Sequence, residues 1–243
     1  MGLKYIILTS FLGFLLCGCD GPSATTIPTN LPNTSNGTTT LKMPLLPLGT
    51  HNGYTIGFEA LPNATQSKVN QLTQEAKALG MKIGRAGMDW ADIETSPGVY
   101  DKTEFEESLK DAKNSDLLPF VWISIIDSEG LVLPSFFMDP SDNGKTLNNM
   151  RLDDPQIVNA YKKLLDWAIP MIVANGGFSL TIGNEPEFDT DSLPGSGQGL
   201  ANFTKLIAEH VRSLDSDLPV TMTFTGLSIF ANAEIVTRTV PHI

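Results

Sequence analysis

The residues best suited to chemistry stand where short apolar runs end. Phe178–Phe188 reads Phe-Ser-Leu-Thr-Ile-Gly-Asn-Glu-Pro-Glu-Phe, a strand-like segment stopped by an Asn-Glu-Pro turn. A glutamate at the carboxyl end of a buried parallel strand sits where α/β barrels keep their reactive groups. Other runs deliver comparable groups. Glu59 follows the first run. Arg85 lies in the second, which leads to Asp89, Trp90, Asp92 and Glu94. The third contains Trp122 and leads to Asp127 and Glu129, and the fourth leads to Asn184, Glu185 and Glu187. Carboxylates, aromatics and an amide are what cleavage of a glycosidic bond requires. One carboxylic acid protonates the leaving oxygen, and a second carboxylate attacks the anomeric carbon or activates water. Aromatic faces stack on sugar rings, and Asn or Arg hydrogen-bonds hydroxyls or orients a carboxylate.

The elements that must position these groups alternate. Tyr54–Phe58 reads as a first strand, and Gln66–Leu79 as a helix with Val69, Leu72, Ala76 and Leu79 on one face, stopped by Gly80. A second strand, Met81–Met88, precedes a helix over Lys102–Asn114 with Phe105, Leu109 and Ala112 inward. Leu118–Ile125 is a third strand, followed by a long loop with Pro134, Pro140 and Gly144. Asp154-Pro155 opens a third helix that ends at Gly176, and Pro170 should kink it. Ser179–Gly183, Leu200–Leu214, Val220–Thr225 and Ala231–Thr237 complete the series as strand, helix, strand and short helix. Repeated βα units imply a parallel sheet covered by helices. An open doubly wound sheet competes with a barrel, but Gly57-Phe58-Glu59 stands where a Gly-rich phosphate loop would follow the first strand.

Two motifs carry a resemblance. Ile182-Gly183-Asn184-Glu185-Pro186 resembles the strand-four motif of the clan A glycoside hydrolases, whose fold is the (β/α)8 barrel. Arg85-Ala-Gly-Met-Asp-Trp-Ala-Asp-Ile-Glu-Thr-Ser-Pro-Gly-Val-Tyr-Asp101 resembles that clan's second strand and following loop. Their order and a separation of about one hundred residues fit the unit lengths of such a barrel. The resemblance implies that Glu185 is the general acid/base and that Asn184 hydrogen-bonds the sugar 2-hydroxyl. It also implies that Arg85 supports the nucleophile. Trp90 and Trp122 are stacking candidates by position alone, and one of them is expected in the core.

Plainer readings stand beside these. Arg85 inside a strand needs a partner, which could be structural. Asp89, Glu94 and Glu187 read as loop charges or helix caps. His51, His210 and His242 lack metal-ligand spacing, so no metal and no organic cofactor is implied. Gly195-Ser196-Gly197 lies in a Gly-rich loop, not at a nucleophile elbow. A net charge of −11 argues against nucleic acid and against a basic membrane-binding surface.

The amino terminus reads as a secretion signal. Lys4 precedes the apolar run Tyr5–Leu16, too short for an ordinary membrane span, and Leu16-Cys17-Gly18-Cys19 fits a bacterial lipobox. By that resemblance Cys19 carries a lipid anchor to the membrane, and Asp20 resembles an inner-membrane retention signal if the host is Gram-negative. Otherwise the cell surface is expected. Cys17 and Cys19 are the two cysteines of the chain, so a disulfide framework is excluded. Residues 20–49, rich in Ser, Thr, Pro and Asn, read as a flexible tether, and residues 50–243 as one folding domain. A complete barrel takes about 250 residues of domain, whereas this segment reaches about five βα units. The expectation is an incomplete barrel without the family nucleophile, a glutamate after strand seven. Such a chain would be inactive or weak and would self-associate through open barrel edges. The alternative class is a carbohydrate-binding or scaffold lipoprotein without catalysis.

Overall fold

The computed structural model describes residues 57–58, 65–127, 130–186 and 197–223. The signal, the lipobox with Cys19, the tether, Glu59, Glu129, Glu187 and the expected helix over 231–237 lie outside the described residues. Described elements are β1 (Gly57–Phe58), α1 (Gln66–Ala78), β2 (Ile83–Asp89), α2 (Trp90–Ile93), β3 (Glu94–Ser96), β4 (Val99–Tyr100) and α3 (Lys102–Asn114). Then follow β5 (Leu118–Ser124), β6 (Ile126–Asp127), β7 (Gly130–Leu131), α4 (Pro155–Ala174), β8 (Ser179–Asn184), α5 (Gln198–Leu214) and β9 (Val220–Thr223).

The principal sheet has the order β1-β2-β5-β8-β9, and every neighbouring pair is parallel. Each new strand is laid beside the last one. A doubly wound sheet would reverse direction at a switch point, and no reversal occurs among the described strands. Sequential parallel addition with covering helices is the build of a (β/α)8 barrel, here seen over five strands.

Local chemistry explains the helix limits. Thr65, Asp101 and Asp154 each cap a helix by accepting a backbone N–H, from Lys68, Thr103 and Gln156 respectively. Helix α4 opens on Pro155 at its first turn and runs unbroken past Pro170. Pro170 is exposed, so water can serve the carbonyl that its missing N–H leaves without a helical partner.

The sheet has two unlike faces. Ala86, Val121, Ile123, Leu180, Ile182, Val220 and Met222 face the helices in one apolar core with Phe105, Tyr161, Leu164, Phe203 and Ile207. Tyr161 adds a hydrogen bond from its hydroxyl to the carbonyl of Ile123. Alternation along each strand turns the other row away from the helices. That row carries Arg85, Gly87 and Asp89 on β2, Trp122 and Ser124 on β5, Thr181 on β8, and Thr221 and Thr223 on β9. A row this polar on a central parallel sheet is unusual, since such strands are ordinarily apolar on both faces.

Candidate active site

The site starts from the register of β2 against β5. Arg85 pairs with Phe120, Gly87 with Trp122 and Asp89 with Ser124. The glycine lets the strands meet closely at Trp122. Gly87 has φ +104°, and a Cβ there would lie 2.0 Å from the Trp122 carbonyl oxygen. Beside this contact, the Arg85 guanidinium carbon sits 4.3 Å from the centre of the Trp122 ring. An arginine over an indole face is favourable by about 0.5–1 kcal/mol when exposed, as Arg85 is. One face of Trp122 is therefore covered by the guanidinium, so stacking of a sugar there would have to displace Arg85.

Trp122 is fixed at its edge as well. Its Nε1 donates to Asp89 Oδ1 at 2.9 Å. Asp89 ends β2 and stands at the N-cap position of α2, but its side chain makes no capping bond there and serves Trp122 instead. Burial pushes the Asp89 carboxyl above the ordinary aspartate value. The Trp122 hydrogen bond opposes that rise, the charges of Asp127 and Asp92 add to it, and Arg85 opposes it least. For a carboxyl raised in the native state, the stability due to its neutral form is fully present below the unfolded value. It is lost as pH rises through the raised native value. Asp89→Asn keeps an acceptor for Trp122 without the charge. The stability of the native protein relative to Asp89→Asn should therefore fall as pH rises from about 4. Urea melts of both proteins across that range test this, and a constant difference would rule it out.

The second half of the site lies on β8. A β-bulge separates Thr181 from Asn184, since β8 spans Thr181 to Asn184 where β9 spans only Thr221 to Thr223. Strict alternation from Thr181 would turn Asn184 toward the helices. The extra residue lets Ile182 and Gly183 both face the core and brings Asn184 beside Thr223. Gly183 leaves room there for its neighbours, since a Cβ would lie 3.0 Å from Ile126 Cγ2 and 3.2 Å from Met222 Cε. Asn184 is buried, donates from Nδ2 to Asp127 Oδ1 at 2.6 Å, and accepts from Thr223 Oγ1 at 2.5 Å.

Glu185 follows with φ +49°, in the left-handed region that non-glycine residues seldom occupy, and it stands immediately before Pro186. Its N–H donates to the Thr223 carbonyl at 2.9 Å, so β9 holds the strained residue in place. Left-handed backbone of this kind costs about 1–3 kcal/mol and collects at functional sites. Glu185 is half-buried at the carboxyl end of the strand.

Trp90 is not part of this arrangement. It is fully buried on the helix side of the sheet, with ring centroids 5.0 Å from Tyr161 and 5.4 Å from Phe137. Its Nε1 donates to Glu94 Oε2 at 2.7 Å, and Glu94 Oε1 accepts the N–H of Gly98 at 2.7 Å. Glu94, expected as a loop charge or cap, is a buried brace that joins α2 to the turn between β3 and β4. The stretch Ile-Glu-x-x-x-Gly-x-Tyr-Asp thus builds the loop: Gly98 makes the turn at φ +74° and Asp101 caps α3. Trp90→Phe should keep the packing but leave the Glu94 carboxylate short of a donor. A loss of about 1–3 kcal/mol in urea unfolding is expected, and an unchanged midpoint would show that the brace is idle.

The sequentially ordered parallel sheet with its covering helices is matched in known structures. The exo-β-1,4-mannosidase Op5Man5 from Opitutaceae bacterium strain TAV5 superposes with a TM-score of 0.54 at 15% identity, over 68% of this chain and 31% of that one. The fold is that of the clan A glycoside hydrolase barrels. A GH5_18 protein from Bifidobacterium longum subsp. longum gives 0.49 at 14% identity, covering 61% of this chain and 36% of its own. The endo-β-1,4-mannanase from Thermotoga petrophila gives 0.48 at 14% identity, covering 71% and 42%. The chain therefore spans 31–42% of the length of these three structures. No family model and no curated protein matches the sequence.

The structure brings Arg85, Trp122 and Asn184 to one face of the sheet and leaves Trp90 behind it; Glu185 follows the carboxyl end of β8, whereas Arg85 is level, through Phe120, with Ser179 at the start of that strand. Sequence reasoning noted Asp127 only as a strand-end acid and did not single out Thr223. The signal for Thr223 was faint: Val220-Thr-Met-Thr223 alternates apolar and hydroxyl residues, which marks one polar face. Among the described residues no group of three or more His, Cys, Asp or Glu could hold a metal ion.

Proposed function

We propose that this protein is a glycoside hydrolase-like lipoprotein of the bacterial cell envelope whose Glu185 is the general acid/base for β-glycosidic bonds. The observation that carries the reading is the strained Glu185 at the end of β8, beside an Asn184 that a bulge re-aims onto the same polar face. In the retaining mechanism Glu185 gives its proton to the leaving oxygen and then takes one from the water that frees the enzyme. Asn184 holds a sugar hydroxyl next to the reacting centre, and Arg85 over Trp122 supplies the positive charge of the site.

Retention also needs a second carboxylate as nucleophile. The resemblance assigns it to a position after the seventh strand, and none of the described carboxylates is given that role. A chain lacking it would bind glycan without cleaving it. Anchoring through lipid on Cys19 is part of this proposal and makes the membrane the site of residence; no described helix is long and apolar enough to cross one.

The test is a panel of aryl β-glycosides and β-linked disaccharides, with β-mannosides included because of the Opitutaceae neighbour. Turnover that depends on Glu185 supports hydrolysis. Binding without turnover, lost in Trp122→Ala but kept in Glu185→Gln, supports the carbohydrate-binding alternative. Neither binding nor turnover would sink both. Anchoring is checked separately, by whether Cys19→Ala moves the protein from the membrane fraction to the soluble one.

A further inference from the structure

Both ends of the Asn184 amide are engaged, and by different strands. The Asp127 carboxylate accepts, so the nitrogen faces it; the Thr223 hydroxyl donates, so the oxygen faces that side. Thr223 Oγ1 also lies 3.5 Å from the Gly183 carbonyl, too long to compete with the 2.5 Å contact to Asn184. An unrestrained Asn amide can turn over and exchange donor for acceptor. This one cannot do so without facing oxygen against carboxylate.

The backbone is arranged to keep the three groups together. The Ile125 N–H donates to the Ile182 carbonyl at 3.1 Å, at the bulge itself. The side chain of Ile126 seats against Gly183, where any Cβ would crowd it. The hairpin of β6 and β7, which carries Asp127, is thereby clamped to the irregular end of β8. Thr223 is held from the other side by the β8–β9 ladder, where it pairs with Asn184.

We propose that Asp127 and Thr223 are positioning residues that lock the Asn184 amide, leaving its second Nδ2–H as a fixed donor to a ligand hydroxyl beside Glu185. That hydrogen has no partner among the described residues. The ligand-facing half of this assignment rests on the glycosidase reading; the lock itself does not. A site built around a fixed donor rejects a ligand that lacks the matching hydroxyl, because the donor is then left unpaired. A mobile amide would discriminate less.

The lock is read without activity, from the side-chain amide of Asn184 in labelled full-length protein, assigned by its loss in Asn184→Asp. Two well-separated, slowly exchanging proton resonances are expected. Asp127→Ala should merge them and speed exchange about tenfold or more, whereas Asp127→Asn, which keeps an acceptor oxygen, should preserve them. Signals unchanged in both Asp127→Ala and Thr223→Val would overturn the lock. The ligand-facing half is read by binding, in a Glu185→Gln background, of 4-nitrophenyl β-D-glucoside and β-D-mannoside against their shared 2-deoxy analogue. Preference for the parent glycosides should fall about ten- to hundredfold in Asp127→Ala, through weaker parent binding alone. Equal weakening of parent and analogue would make Asp127 merely structural and overturn the positioning role. An intact lock with no binding of any glycoside would sink the glycosidase reading and the ligand-facing half with it, while the lock stands.

Discussion

Where the protein turns over an aryl β-glycoside, Glu185→Gln should leave the fold as stable as before and lower that turnover by about 10²–10⁴, the usual contribution of a positioned general acid. The loss should depend on the leaving group. An aglycone that departs without protonation should be spared in the first step, so the effect shrinks as leaving-group acidity rises. Glu185→Gly should separate strain from chemistry. Glycine takes φ near +49° at no steric cost, so this variant should gain stability, by about 1 kcal/mol, while losing the same proton donor. A gain of this size moves the midpoint of a domain of this class by about 2–4 °C. The two variants together decide between a strained functional residue and an ordinary turn. Loss of activity with a gain in stability is the signature of a conformation held for function. Loss of stability in Glu185→Gly would mean that the side chain holds the turn together, and the case from backbone geometry would fail.

What was legible in the sequence followed from periodicity and punctuation. Helix α3 was read at Lys102–Asn114 because Asp101 caps it and Phe105, Leu109 and Ala112 recur at helical spacing. The strand cores of β5 and β8 were readable as short, largely apolar runs, and those of β2 and β9 as runs that mix apolar with polar or glycine residues, each bounded by turn residues. Glu185 was legible because it ends one of those runs. Other features depend on contacts that no local pattern encodes. The bulge in β8 adds one residue to a count that alternation assumes to be regular, so the facing of Asn184 could not be read by parity. Trp90 looked like a strand-end aromatic. Its partners, Phe137 and Tyr161, come from a distant loop and from α4, and they place it in the core. Asp127 stood out only as one acid among several until the hairpin of β6 and β7 brought it to Asn184.

Gly87→Ala should do more damage than any side-chain change at the site. The new Cβ would lie 2.0 Å from the Trp122 carbonyl oxygen and 2.7 Å from its backbone nitrogen. Both contacts are to backbone, so no rotamer change relieves them; β2 and β5 must move apart. The alanine would also have to hold φ near +104°, which L-residues avoid. Overpacking alone costs about 1–3 kcal/mol, and backbone strain of this kind adds about as much again. The expected loss is therefore at the upper end of single-substitution effects, about 3–5 kcal/mol. The damage should be directional. β2 carries Arg85 and Asp89, and β5 carries Trp122, so a shift between the strands breaks the stack at 4.3 Å and the hydrogen bond at 2.9 Å together. Indole fluorescence of Trp122, assigned by comparison with Trp122→Phe, should report that change at temperatures where the protein is still folded. Asn184 and Glu185, held by β9 and by the hairpin of β6 and β7, should keep their geometry, readable in the amide signals of Asn184. A Gly87→Ala protein with native stability and unchanged Trp122 emission would show that the close approach of β2 to β5 is not what sets this half of the site.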